Sequence, residues 1–457
     1  MTSKTTLCGT TSQYILQTSK EYSIYVCSTR AIPSIEDGLK AGQRVALWLL
    51  KDKAEKMKTV ALSGLMAYTK LYVHGDISAS NAIGLLAAPY KNNVPLIEGL
   101  GQFGSRCAPV EGIGAPRYTE VRRAQSAQLL LYRDLDLVPM EDNYDGSNQQ
   151  PIHFLPLIPL VLLNGVEGVA VGWSTSILPR KLRDLITATQ DALMGKVPKL
   201  LKPHYENYGI DVKHLGGNQW EFHGKAEIVD TSTVHISELP PGISVEKFNA
   251  QLAAMEERDQ IASYTEGSTE FIDVTVKFKR GSVRDWTPAT AINFFKLKEK
   301  VTERITVIDW GGETIKTYDT AEDVIVAFAA WRLRWYTERY KKMISDSKYE
   351  LIYWKVIQAL FAAGFTAKLG KFANRAAVED EVTKVAGAKK LSLDKPQMDR
   401  VVSLSTYRWT EEYRDEVTLK VKEIEAAIKG YQDVLKSDDK LRAVYMAELD
   451  EVKKKLT

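Results

Sequence analysis

Tyr118 is the side chain whose neighbours best suit phosphate chemistry. It follows the Gly/Pro-rich segment GIGAP, and Arg117, Arg122 and Arg123 lie close to it in the chain. Guanidinium forks bind phosphate oxygens two at a time and offset the charge that grows in phosphoryl transfer. The chain holds 21 tyrosines, most of which must pack or hydrogen-bond. The company of Tyr118 therefore leaves two readings open, a nucleophile and a structural ring.

Other clusters of reactive residue types lead elsewhere. GLGQFG at 99–104 has the spacing G-x-G-x-x-G, and VPLIE before it could be a strand. A dinucleotide fingerprint needs a helix that opens inside the glycines, so that its N-terminus meets the pyrophosphate. SRCAPVEGIGAP follows instead and cannot form that helix. EDNYDG at 141–146 is only loosely like a calcium loop, because Ile152 stands where the bidentate glutamate belongs. Asp134 and Asp136 read as a solvated pair. The 6 histidines, His74 among them, lack zinc-ligand spacing. Cys8, Cys27 and Cys107 form neither a zinc pattern nor a disulfide framework, which points to a reducing compartment.

The elements that must position such residues follow from pattern. The length of 457 residues allows two to four domains, each with its own core. A net charge of +3 neither demands nor excludes nucleic acid. The N-terminus has no apolar signal region, and the longest apolar stretch, about 154–163, is too short to span a bilayer. Helices are predicted over Leu39–Lys53 and Val60–Tyr68, with a third after a capping candidate at Asp76 that carries Ile83, Leu85 and Leu86. The last two suggest a helix-turn-helix, although such pairs are more often simply packed helices. A helical pattern resumes near Tyr118 and runs through VRRAQSAQLLLYRDL. Residues 154–177 read as buried strands turning at Asn164-Gly165, and 220–317 as an α+β domain. In the C-terminal third, Val324, Phe328, Trp331 and Trp335 make one heptad stripe, and Val417, Val421, Ile424, Ile428, Tyr431 and Leu435 another. That pattern describes a long helix out, a small helical knob, and a long helix back.

Seven ordered segments resemble type IIA DNA topoisomerases. They are RAIPSIEDGLKAGQR at 30–44, YVHGDISASNAIGLLA at 72–87, EGLGQFGSR at 98–106, APRYTEVR at 115–122, EDNYDG at 141–146, LPLIPLVLLNGVEGVAVGWSTSILP at 155–179 and SDDKLRAVYMAELDEVKKKL at 437–456. Within that family the length and the early stop after the coiled coil are most similar to the medium subunits of T-even phage enzymes, with the cleavage half of gyrase A also similar. The resemblance implies an α+β multidomain breakage-reunion core. Its parts would be an N-terminal arm (1–29), a winged-helix domain with the catalytic tyrosine (30–150), an α/β tower (151–320), and a coiled coil with a helical dimerisation knob (321–457).

The resemblance also implies roles. Tyr118 would attack the scissile phosphate and become linked to the DNA 5′ end, with Arg117 and Arg30 around the phosphate and His74 as the active-site histidine. A free phenol has a pKa of about 10, so the site must help to remove its proton. Lys40, Arg44 and Ser78 would lie along the DNA backbone, and Val169 would wedge between base pairs. The family often carries a further histidine where this chain has Tyr72 or Val73. Neither an ATPase module nor an acidic metal-binding domain is readable, so ATP and Mg²⁺ would belong to a partner subunit docked on the arm. The expected partners are double-stranded DNA, a second copy of the chain and that ATPase protein. The expected setting is cytoplasmic, that of the host if the chain is phage-encoded. The rival reading is a non-catalytic, DNA-bending winged-helix scaffold.

Overall fold

The computed structural model describes residues 11–107 and 114–456. Cys8, the first ten residues of the expected arm, and Gly112 and Ile113 of the GIGAP segment lie outside the described residues. The chain forms two compact units. One runs to Arg332 and resumes at Glu448, and the other is Leu333–Ala447.

The first unit opens with helix α1 (Thr11–Val26), followed by a π-helical turn over Cys27–Ala31. Then come α2 (Ala41–Leu50), β1 (Met57–Lys58), α3 (Thr59–Tyr68), α4 (Asp76–Ala87), β2 (Ile97–Leu100) and β3 (Glu120–Arg123). The three strands form one antiparallel sheet in the order β1-β3-β2. The helices turn their apolar sides inward, so Val45, Leu47 and Leu50 of α2, Leu62 and Met66 of α3, and Ile83 and Leu86 of α4 are buried. Leu85 of α4 points outward. Gly75, rather than Asp76, is the N-cap of α4, and Asp76 sits in the first turn, where its charge complements the helix dipole.

The helix expected to resume at Tyr118 is instead β3, followed by the short α5 (Gln125–Leu130). EVRR is mostly polar, and it is a strand because β1 and β2 pair with it on both sides. β4 (Met140–Asp142) and β5 (Gln149–Pro151) then make a hairpin around the NYDG turn.

The apolar run 154–163 ends in α6 (Leu160–Leu163) rather than in a strand. Asn164 does not turn a hairpin. Its side-chain amide bonds both the N–H (2.9 Å) and the C=O (2.9 Å) of Val94. The hairpin is β6 (Val166–Ala170) with β7 (Trp173–Ile177), turning at Val171-Gly172, where Gly172 takes φ +80°. After α7 (Leu182–Leu193) come β8 (Asp211–Gly216), β9 (Gln219–His223), β10 (Lys225–Asp230), β11 (Thr233–Glu238), α8 (Val245–Glu257), β12 (Ser263–Glu266), β13 (Val274–Lys277), α9 (Pro288–Phe294), β14 (Lys298–Thr302), β15 (Ile305–Ile308) and β16 (Ile315–Tyr318). The sheet β10-β11-β13-β12 packs with α8 and α9 around Phe248, Leu252, Val274, Val276 and Phe295, an α+β body as its sequence predicts.

α10 (Ala321–Ala362) starts in the first unit, and the division between units falls within it. The second unit holds the rest of α10, α11 (Arg375–Ala388), α12 (Lys395–Val402), α13 (Glu411–Leu435) and the start of α14 (Asp438–Leu456). α13 runs back along α10, as the pairs Tyr340–Tyr431 (centroids 5.9 Å apart) and Lys355–Glu425 (2.6 Å) require. Val417, Val421 and Ile428 of the predicted stripe are buried. No helix among the described residues is long and apolar enough to cross a membrane.

Candidate functional site

Two separate clusters gather the candidate residues. The first is built on the π-helical turn. Ile32 N–H donates to Cys27 C=O at 3.1 Å, a five-residue reach that widens the turn while Cys27 and Ala31 anchor it in the core. Arg30, between them, projects to the surface. Its Nη2 donates to His74 Nδ1 at 3.0 Å. His74 sits in the loop ahead of α4. The Tyr72 ring meets it edge-on with centroids 5.0 Å apart. Burial, then the Arg30 charge, hold the His74 pKa below its ordinary value.

Tyr118 forms the second cluster. The residue is 71% exposed. The backbone beneath it is held by hydrogen bonds. Tyr118 N–H donates to Ala115 C=O (2.8 Å), Thr59 N–H to Thr119 C=O (3.0 Å), and the buried Thr119 and Thr59 hydroxyls bond each other at 2.8 Å. The Arg117 guanidinium lies 5.0 Å from the Tyr118 ring centroid, within cation–π range. Among the described residues no hydrogen bond, ion pair or ring contact joins Tyr118 or Arg117 to Arg30 or His74.

The other arginines near Tyr118 in sequence are committed elsewhere. Arg122 forks onto Glu98 directly across the sheet (2.9 and 2.6 Å), and Arg123 donates to Lys51 C=O at 2.5 Å. Arg44 is largely buried against Asp37, to which it donates twice (2.6 and 3.0 Å), while Asp37 also accepts Leu39 and Phe154 N–H. By contrast, Arg30 and Arg117 have no carboxylate partner among the described residues.

Val169 is 83% exposed near the tip of the β6–β7 hairpin. That hairpin is fixed at several points. Lys40 Nζ donates to Glu167 C=O at 2.8 Å, and burial lowers the Lys40 pKa against the opposing effect of Glu167. Ser176 and Arg304 exchange backbone hydrogen bonds, both at 2.9 Å. Gly168 lies against the π-helical turn so closely that a Cβ there would stand 2.0 Å from Ala31 C=O. The hairpin and the Arg30 turn are thus one packed block.

Among the described residues no three His, Cys, Asp or Glu side chains converge to hold a metal ion. Asp134 of the Asp-x-Asp pair is spent on the buried Arg332. GLGQFG is a strand end with Gly101 at φ +106°, and no helix opens within it.

Tyr25 and Asp37 escape sequence reasoning. Tyr25 reaches His74 across 49 positions, with its hydroxyl 3.4 Å from Nε2, and only its place about one turn ahead of Arg30 hints at this. Asp37 lies inside a recognisable segment, yet a lone aspartate carries no sign of its burial.

The family model for the DNA gyrase/topoisomerase IV A-subunit matches residues 30–450. The chain is 31% identical over 335 residues to DNA topoisomerase 2-alpha of Gallus gallus, covering 69% of this chain and 21% of that one. It is 29% identical over 326 residues to DNA topoisomerase 2 of Bombyx mori, covering 68% and 21%. It therefore spans about a fifth of the length of these relatives. The crystal structure of the Plasmodium falciparum topoisomerase II DNA-binding, cleavage and re-ligation domain superposes with a TM-score of 0.84 at 22% identity, over 95% of this chain and 63% of that one, a likeness of fold. The chain belongs to the DNA gyrase/topoisomerase IV A-subunit family.

Proposed function

We propose that this chain is the DNA-cleaving and religating subunit of an ATP-dependent type IIA topoisomerase, with Tyr118 as its nucleophile. The observation that carries the reading is an exposed tyrosine on a hydrogen-bonded backbone, with the unneutralised Arg117 guanidinium against its ring, in a chain of this family. The phenolic oxygen attacks phosphorus, the bond to the 3′ oxygen breaks, and the 5′ phosphate stays on tyrosine. The phenol gives up a proton and the freed 3′ oxygen takes one up. Religation reverses each change, and the stored ester needs no external energy.

Among the described residues of one chain, Tyr118 and the Arg30–His74 pair do not meet. We place them together across a dimer, with Tyr118 of one copy working beside Arg30 and His74 of the second. α2, α3, α4 and the sheet β1–β3 have the element order of a winged helix, and in our reading α4 lies against duplex DNA. Lys40 and Ser78 then follow the backbone, and Arg44, held by Asp37, keeps Nη1 for a phosphate. Val169 is the wedge. Unstacking a step costs a few kcal/mol, offset by contacts along the bent duplex. α10 and α13 would form the coiled coil, and α11 and α12 the dimer contact at its end. Among the described residues no three His, Cys, Asp or Glu side chains converge as a Mg²⁺ site would need. We assign Mg²⁺ and ATP to a separate partner protein, as in the divided T-even phage enzymes, with relaxation and decatenation as the net reaction.

The test is adduct formation. The chain, assembled with Mg²⁺ and a metal-binding ATPase partner, is incubated with duplex DNA and stopped with denaturant. A covalent protein–DNA band is expected, and Tyr118→Phe should bind DNA without forming it. An adduct from Tyr118→Phe defeats the assignment. DNA bending by the wild type with no adduct favours a scaffold instead.

A further inference from the structure

We infer that Tyr25, on the N-terminal helix, is a positioning residue that fixes the tautomer and orientation of His74. This rests on the DNA-cleavage reading above, with His74 facing the phosphate.

The argument begins with hydrogen-bond capacity. A guanidinium has donors only. Arg30 Nη2 lies 3.0 Å from His74 Nδ1, so Nδ1 must hold its lone pair toward Arg30. The imidazole is then neutral, and its proton sits on Nε2. Burial and the Arg30 charge favour the same neutral form. Nε2 faces the Tyr25 hydroxyl at 3.4 Å, so the Nε2–H donates and the phenolic oxygen accepts. The Tyr25 proton then points away from the imidazole.

Geometry restricts the ring on three sides. Arg30 holds Nδ1, Tyr72 meets the ring edge-on, and Tyr25 approaches with its ring tilted 66° and centroids 6.3 Å apart. Arg30 also lies 5.7 Å from the Tyr25 ring centroid. Arg30 and Tyr72 lie within segments that resemble the family, whereas Tyr25 lies on α1, ahead of residue 30 where the family match begins. Without it, no other group among the described residues accepts the Nε2 proton. The ring could then turn about its Cβ–Cγ bond. A hydrogen bond to the second ring nitrogen commonly fixes a histidine's tautomer.

The test uses Tyr25→Phe, which keeps the ring and the helix and removes only the hydroxyl that accepts from His74. Cleavage by the assembled enzyme should slow about threefold to tenfold, the loss of one weak hydrogen bond at a reacting group, with DNA binding unchanged. In chain labelled with ¹⁵N-histidine, the His74 signals should move from one tautomer to a mixture. Tyr25→Phe in a His74→Ala background should have no further effect, because the two act as one unit. Wild-type cleavage and an unchanged His74 spectrum in Tyr25→Phe overturn the inference, as does a full additional loss in the double variant. If Tyr118→Phe abolishes adducts while Tyr25→Phe behaves as wild type, only the role of Tyr25 falls. If Tyr118→Phe still forms adducts, the reading beneath it falls first.

Discussion

Gly168→Ala tests whether the hairpin that carries Val169 and the turn that carries Arg30 must stay in register. A Cβ at residue 168 would stand 2.0 Å from the Ala31 carbonyl oxygen. That neighbour is backbone and has no flexible end to swing away. Ordinary contact begins near 3.4 Å, so the two segments must part by about 1.4 Å. Two features resist the movement. Ala31 is buried, and Ser176 on the paired strand is bonded both ways to Arg304. Strain of this kind typically costs about 1–3 kcal/mol. Displacing groups by about 1 Å at a reacting centre can cost about 100-fold in rate. The expected result is therefore a folded protein that is about 1–3 kcal/mol less stable by urea denaturation, with DNA cleavage reduced about 100-fold. Gly64→Ala is the control. It lies in α3 with nothing within 4 Å of a new Cβ, and it should gain about 0.5–1 kcal/mol with cleavage unchanged. A Gly168→Ala protein that cleaves at the wild-type rate would refute the claim that this close approach sets the geometry of the site.

Two further outcomes can be checked by denaturation. Arg180 and Glu303 form a buried pair at 2.7 Å, and together they also satisfy the Leu178 C=O and N–H; Glu303→Leu should cost about 3–5 kcal/mol by leaving the buried guanidinium unpaired, measured as a fall in urea midpoint at constant m-value. His74 is pushed below its ordinary pKa by burial and by Arg30, so the unfolded chain takes up the proton first as pH falls; its stabilising share should be complete above the unfolded pKa of about 6.5 and lost as pH falls through the lower folded value. His74→Gln should remove that share of the acid-side slope, and an unchanged slope would reject it.

What the sequence disclosed depended on how local each signal was. α4, the β-rich middle region and the long α10 and α13 were legible because apolar periodicity or β-branched alternation marks them directly. β3 was not, because Glu120-Val121-Arg122-Arg123 takes its extended form from partners at 57–58 and 97–100. The run ending at Leu163 was ambiguous because a fully apolar segment has no polar face to reveal its period. Asn164-Gly165 has the composition of a hairpin turn, yet Asn164 uses its amide to clamp Val94. Tyr118, Arg117, Arg30 and His74 could be named from segments that resemble the family. Their division into two clusters could not, since it depends on distances no spacing encodes.

The arrangement of charge suggests why a neutral imidazole is useful beside Arg30. Arg44, Arg122 and Arg106 each face a carboxylate, Asp37, Glu98 and Glu238. Such pairing fixes a guanidinium but cancels most of its field at a distance. Arg30 is held by a nitrogen lone pair and Arg117 lies against a ring face, so both are oriented while their charge stays uncompensated. A site that must attract and grip a polyanion needs this combination, because counterion release depends on cations still free to meet phosphates. A carboxylate at residue 74 would hold Arg30 more tightly and leave it less able to act. The same reasoning explains how a chain with a net charge of only +3 can serve DNA: what matters is where the fold leaves guanidinium groups unneutralised, and Arg30 and Arg117, which flank the proposed chemistry, are two of them.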